Sequence, residues 1–377
     1  MTHFRFDFFA GIAVSLATAI VGCSAGPKAG SSNAAAGPAA SVDSGSPAPD
    51  SASPAPRQAG YYSDGATDLA AVASDSGFYI ETPDYNASDP SASNLIVQPG
   101  QEIFLCYSVT LPNTAEADVG GFQSWMSPGS SHHFIVYQLG QQGGGGFFAG
   151  TPQPSGTVST CRGAGGTWVY ATSTPGTVVG MNMPDGVGLP FAPATNIVLN
   201  MHFINPGTST LYPKVKLNIL LAKNVQYKAA SMVSFNIGIN VPPATASGPG
   251  TQTVSGTCSA PAGSKFFTMS THTHKHATAA AVNFISGGVS QEIVHTGSTQ
   301  TYPVDQQQGT GTDWEHPGVG LWNGPDYLTV NAGDSFTYSC TYENTGSTAV
   351  TVGETAASNE MCMAVGYYFP ASSARCN

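Results

Sequence analysis

Beyond residue 100 this 377-residue chain carries eight histidines, and their spacing is the first sign of chemistry. Three groupings stand out. They are the adjacent pair in Ser130-Ser-His-His-Phe134, the single histidine of Asn200-Met-His-Phe203, and the alternating run Thr271-His-Thr-His-Lys-His276. On a strand, residues two apart share a face, so His272 and His274 are placed to close on one ion. Imidazole suits copper, zinc, iron or nickel. A lone histidine such as His202 is by itself most simply a hydrogen-bonded sheet residue, whereas an alternating His-Thr-His reads as a metal site. His132 and His133 are neighbours and face opposite ways on a regular strand. Both reach one ion only if the strand bends or each uses its nearer ring nitrogen. Glu360-Met-Cys-Met363 adds a thioether. Methionine is ordinarily core filler, but a soft sulfur beside paired imidazoles is the ligand set that selects Cu(I). On an unbroken strand His276 shares the face of His272 and His274; a solvated residue is its plainest reading, ahead of a spare ligand or an acid/base group. The polar and aromatic cluster Asp313-Trp-Glu-His316 reads as a plain loop in preference to a wall of the site.

The elements that position these groups read as strands. Only 9% of residues are charged, against roughly 25% in ordinary soluble domains. The 45 glycines and 27 prolines make up about a fifth of the chain, above the usual share of roughly 12%. Exposed amphipathic helices have little to be built from here. Apolar and polar residues alternate over Glu102–Leu111, Lys214–Leu221, Lys265–His274 and Ser335–Tyr342. His133–Tyr137, Asn196–Ile204, Ala280–Ile285 and Met363–Phe369 are β-branched and aromatic. Ala277–Val282 is ambiguous between helix and strand. The net charge of −11, without basic runs, argues against nucleic acid as a partner.

Arg5 precedes an apolar run from Phe8 to Val21, too short to span a bilayer and suited to a signal peptide. It ends in Ile20-Val21-Gly22-Cys23, which resembles a bacterial lipobox and implies cleavage before Cys23 and diacylation of its sulfur. Ser24 then favours the outer membrane. From residue 24 to 59, 29 of 36 residues are Ala, Ser, Gly or Pro, the composition of a disordered tether. The expected organisation is therefore a signal peptide at 1–22, a tether at 23–75 and two sandwiches at 76–228 and 229–377. Besides Cys23 there are six cysteines, none in a CxxC pair, which in an exported chain reads as three disulfides. Fifteen connectivities are possible.

Taken together, Phe104-Leu-Cys-Tyr-Ser-Val-Thr-Leu-Pro112, His132-His133-Phe, Asn200-Met-His-Phe, His272-Thr-His274 and Glu360-Met-Cys resemble the copper type II ascorbate-dependent monooxygenases. This is the family of peptidylglycine α-hydroxylating monooxygenase and dopamine β-monooxygenase. The resemblance implies an all-β fold of two tandem antiparallel, jelly-roll-like sandwiches facing each other across a solvent-filled cleft. It implies two copper ions: an electron-donating one on His132, His133 and His202, and an oxygen-binding one on the catalytic group His272, His274 and Met361. O2 and an external one-electron reductant such as ascorbate would be co-substrates in hydroxylation of a C–H bond. The disulfides it implies are Cys106–Cys161, Cys258–Cys376 and Cys340–Cys362. The positions at which peptide-amidating members hold a substrate carboxylate with Arg, Tyr and Asn are Ser270, Val365 and Met363 here. A small, neutral or apolar substrate is therefore expected, on a monomer bound to the membrane through Cys23 in the bacterial cell envelope. The rival expectation is a non-catalytic copper-binding lipoprotein that buffers or delivers the metal.

Overall fold

The computed structural model describes residues 58–129, 131–139, 153–161, 166–297, 311–372 and 374–376, and among them every regular element is a strand. The expected signal peptide, Cys23 and the tether as far as residue 57 lie outside the described residues. The last part of the expected tether is ordered, which corrects the boundary at residue 75. Gly60–Ser63 is a strand paired antiparallel with Val179–Asn182. Tyr61 supplies the apolar surface that the Ala/Ser/Pro stretch lacks, its ring lying 6.2 Å from that of Tyr170.

Two sheets form the first sandwich. One runs in the order Thr157–Thr160, Glu102–Thr110, Asn196–Ile204, Ser131–Gln138 and Thr167–Thr172. The other runs Gly60–Ser63, Val179–Asn182, Ala117–Met126, Val215–Leu221 and Gly77–Glu81, with Val187–Phe191 and Tyr227–Lys228 appended. Phe122 and Val119 of the second sheet share a core with Phe134, Val136, Leu199 and Met201 of the first.

The remaining strands build a second sandwich. Ala230–Val233, Met363–Phe369, Lys265–His272 and Val319–Leu321, with Leu328–Thr329, make one sheet. Val289–Thr296, Ala277–Ser286, Ser335–Asn344, Gly250–Ser259 and Arg375–Cys376 make the other. Phe266, Met269 and Tyr368 pack between them on Val282, Phe336 and Tyr338. A small third sheet joins Asn240–Val241, Val350–Val352 and Asn359–Glu360.

The strand Met363–Phe369 is buried at all seven positions. Met-Ala-Val-Gly-Tyr-Tyr-Phe has no charged residue on either face, the pattern of a strand covered on both sides. Its Ala364 and Tyr368, with Phe266 of the neighbouring strand, enter the core of the second sandwich. Val365, Tyr367 and Phe369, with Phe267, enter the core of the first. The two sandwiches thus share apolar packing across the strand Met363–Phe369.

Cys106–Cys161 and Cys340–Cys362 are disulfides, as the resemblance implied. Cys258 is disulfide-bonded and sits in register opposite Cys376, whose side chain lies outside the described residues.

Candidate metal centre

His132 and His133 enter the site from one strand and His202 from its neighbour. His202 is opposite His133, and the next pair is Phe203 with Ser131, so the ladder skips His132. This is a β-bulge, in which two residues of one strand oppose one of the other and the strand bends. The bend turns both members of the adjacent pair toward His202. The candidate ligand nitrogens of His132, His133 and His202 all lie within 4.8 Å of one another, and all three side chains are buried.

Hydrogen bonding selects the nitrogens that face the site. His202 Nε2 is 2.8 Å from Glu102 Oε1, and its Nδ1 is buried without a hydrogen-bond partner among the described residues. A neutral ring donating Nε2–H to the carboxylate leaves a lone pair on Nδ1, the ring nitrogen of His202 still free to bind an ion. Phe104 stacks on the same ring at 3.9 Å. Burial lowers the pKa of all three imidazoles, His132 to about 3 and His133 well below its ordinary value, with repulsion from neighbouring imidazoles adding to the effect on these two. Burial alone would raise the Glu102 carboxyl, but His202 and the amides of Ala356 and Ala357 outweigh it and hold it down.

The second group is assembled differently from the expected strand. The strand ends at His272, and the chain turns through 273–276 before Ala277. A buried carboxylate shapes this turn: Glu360 Oε2 accepts from the His274 amide at 2.8 Å and Oε1 from the His276 amide at 2.7 Å. Burial is the main cause that raises the Glu360 carboxyl to about 7. His274 Nδ1 lies 3.1 Å from the carbonyl of Asn359, which leaves Nε2 for the site. The rings of His272 and His274 are 5.5 Å apart, and burial lowers each pKa to about 3. Met361, beside Glu360, lines a gap of about 30 Å³ with His133, His272, His274 and Met363. The Tyr342 hydroxyl donates to its carbonyl at 2.9 Å, and the Cys340–Cys362 bridge anchors the next residue. His276 stands outside this lining, with Nε2 3.4 Å from the carbonyl of Ala357.

The two groups touch. The His133 and His272 rings are 5.2 Å apart, and both side chains border a larger pocket of about 320 Å³. Its walls include Tyr61, Ile135, Trp168, Val179, Val319 and Val365. Ser270 and Val365 are paired in register and both line this pocket, while Met363 lines the smaller gap. Neither Lys nor Arg is among the described residues of the lining.

Four contributors carry no function in the reading of the sequence. Glu102 and Glu360 look there like ordinary strand residues, although each is a rare acid beside an apolar run. Tyr61 falls in the supposed tether. The Trp314 segment, read as a plain loop, forms a wall: Trp314 lies 4.5 Å from the His132 ring, and Glu315 and His316 border the pocket.

Comparison with known proteins adds one family match, over the C-terminal part of the chain. Residues 232–377 match the family model described as copper type II ascorbate-dependent monooxygenase, C-terminal domain. No curated protein matches the chain. Among solved structures, the major capsid protein P2 from bacteriophage PM2 is similar at 10% identity and a TM-score of 0.32, over 78% of this chain and 98% of that one. A likeness that loose carries no argument.

Proposed function

We propose that this chain, whose residues 232–377 match the C-terminal domain of the copper type II ascorbate-dependent monooxygenases, is a member of that family and hydroxylates a C–H bond of a small, neutral or apolar molecule. O2 would be the oxidant and an external one-electron reductant such as ascorbate the electron source. The observation that carries the reading is the convergence of five histidines and Met361 beside one apolar pocket.

The donor set fits copper. His202 Nδ1 is an orphaned buried nitrogen, and the neighbouring imidazoles are kept neutral, the state in which they bind a metal. His132, His133 and His202 would hold one ion, and His272, His274 and Met361 a second, with the thioether favouring the reduced form. Copper so held supplies the one-electron transfers and O2 chemistry for which amino-acid side chains have no equivalent. The rest is the work of the protein. Glu102 and the carbonyl of Asn359 fix the rings of His202 and His274. The pocket takes an apolar body against Tyr61, Trp168 and Val365, excludes water, and presents it beside His272, which borders both cavities. With no cation in the lining, a carboxylate entering it would lose its hydration without repayment.

A monomer anchored in the cell envelope through lipid on Cys23 belongs to the same proposal. The lipobox supports it, as do the disulfides, which fit an oxidising compartment. The test is O2 uptake by copper-loaded protein with ascorbate and a panel of small neutral aliphatic and aromatic molecules. Uptake stimulated by a panel member is expected. Two bound coppers without substrate-stimulated uptake would instead give the buffering or delivery protein.

A further inference from the structure

One carboxylate oxygen of Glu102 is shared between the two ligand groups. Glu102 opens the strand Glu102–Thr110, opposite Ile204 and two residues from Phe104, which pairs with His202. This places its side chain on the face that carries His202. Oε1 accepts from His202 Nε2 at 2.8 Å, and the same oxygen accepts from the backbone amide of Ala356 at 2.8 Å. Ala356 is 254 residues away in sequence and buried.

The second contact matters because of where the chain goes after Ala356. Within five residues it brings the carbonyl of Asn359 to the His274 ring, Glu360 to the amides of His274 and His276, and Met361 to the gap between the groups. The Glu102 oxygen therefore joins the imidazole of one group to the turn that presents the thioether of the other. Among the described residues, none of the hydrogen bonds to Glu102 involves His272, His274 or Met361 directly.

We infer that Glu102 is a positioning residue for both groups: it holds His202 with Nδ1 bare and docks the 355–358 turn so that Met361 and His274 meet His133 and His272. Without the carboxylate the His202 ring is free to turn its other nitrogen to the site. The buried amide of Ala356 loses its acceptor, and an unsatisfied buried donor drives local rearrangement. Partners of this kind, one bond removed from a ligand, typically alter metal affinity by about 10–100-fold when lost. The inference rests on the copper reading of the two groups.

The test compares wild type with Glu102→Ala and with Glu102→Asp, which keeps the charge but retracts it by one methylene. Hydrogen exchange at the Ala356 amide is followed in the metal-free protein. Copper affinity is measured for each group separately, in His272→Ala/His274→Ala and His132→Ala/His133→Ala backgrounds. The copper–sulfur component of the X-ray absorption spectrum is recorded for the reduced, copper-loaded protein. Both Glu102 variants should speed exchange at Ala356 by about tenfold or more and weaken the His132/His133/His202 group by about 10–100-fold. They should also diminish the copper–sulfur component, although Glu102 does not touch Met361. An unchanged sulfur component beside a weakened first group would make Glu102 a local support of His202 and overturn the inference. So would unchanged exchange at Ala356. If Glu102→Ala does not fold, Glu102→Asp decides on the same readouts. A wild type that binds no copper would sink the functional reading, while the exchange measurement would still decide whether Glu102 docks the turn.

Discussion

Acidifying the metal-free protein should separate the buried groups around the site, because they titrate in opposite senses. Burial holds His132 and His274 at about 3 against an ordinary 6.5. Depressed groups of this kind contribute stability that is present above pH 6.5 and lost as the pH falls through about 3. At about pH 5 each has lost about 2 kcal/mol, or about 4 kcal/mol for the pair. Glu360 works the other way, since burial raises it from 4.5 to about 7. Its contribution is fully present below pH 4.5 and is lost as the pH rises through about 7. Between about pH 7.5 and about pH 5 it returns about 2.4 kcal/mol to the folded state. Glu360→Gln, which keeps an acceptor oxygen but cannot ionise, should steepen the loss of stability over that interval by about 2.4 kcal/mol. His132→Gln/His274→Gln should flatten it by about 4 kcal/mol. The assay is urea unfolding at the two pH values, with equal m-values as the check that only stability has changed. The background titration of all other groups cancels in the comparison. Variants that shift the pH dependence in the same direction, or not at all, would refute the reasoning.

The double variants His272→Ala/His274→Ala and His132→Ala/His133→Ala should each reduce copper from two ions per chain to one by metal analysis, and retention of both ions in either would break the assignment. Met361→Ile should leave most of the copper bound and abolish oxygenation, since two imidazoles dominate affinity while the thioether favours Cu(I); full turnover in this variant would return Met361 to core packing. With both groups loaded with Cu(II), contact between the His133 and His272 rings should broaden the electron paramagnetic resonance spectrum relative to either singly loaded double variant. Ser270→Arg should improve inhibition by an N-acylglycine by roughly 1.5–3 kcal/mol, the range for a hydrogen bond to a charged group, without helping a neutral analogue of equal size.

The strands were largely legible from alternation, and Asn196–Ile204 and Met363–Phe369 have the ends the sequence suggests. The six ligand candidates were legible because His-His, His-Thr-His and Met-Cys are unusual in so apolar a chain. How His132 and His133 serve one place was not, because a bulge depends on pairing with a partner strand and leaves no local mark. The strand expected to reach His274 stops at His272, since Glu360 takes up amides that a ladder would otherwise use. Contact between the two groups also escaped the sequence. It arises from Phe267, Tyr367 and Phe369 packing on the first sandwich, and a strand buried on both faces does not name its second neighbour. Tyr61 was hidden by the low-complexity stretch before it.

The central claim is that the paired groups oxygenate a substrate in the neighbouring pocket. Its most direct test is mass analysis of product formed under isotopically labelled O2, with ascorbate and a small neutral substrate. Wild type should place one labelled oxygen atom in each product molecule, and His272→Ala/His274→Ala none, while still holding copper on His132, His133 and His202. Product oxygen drawn from water, or copper-loaded wild type that turns over no member of the substrate panel, would contradict it.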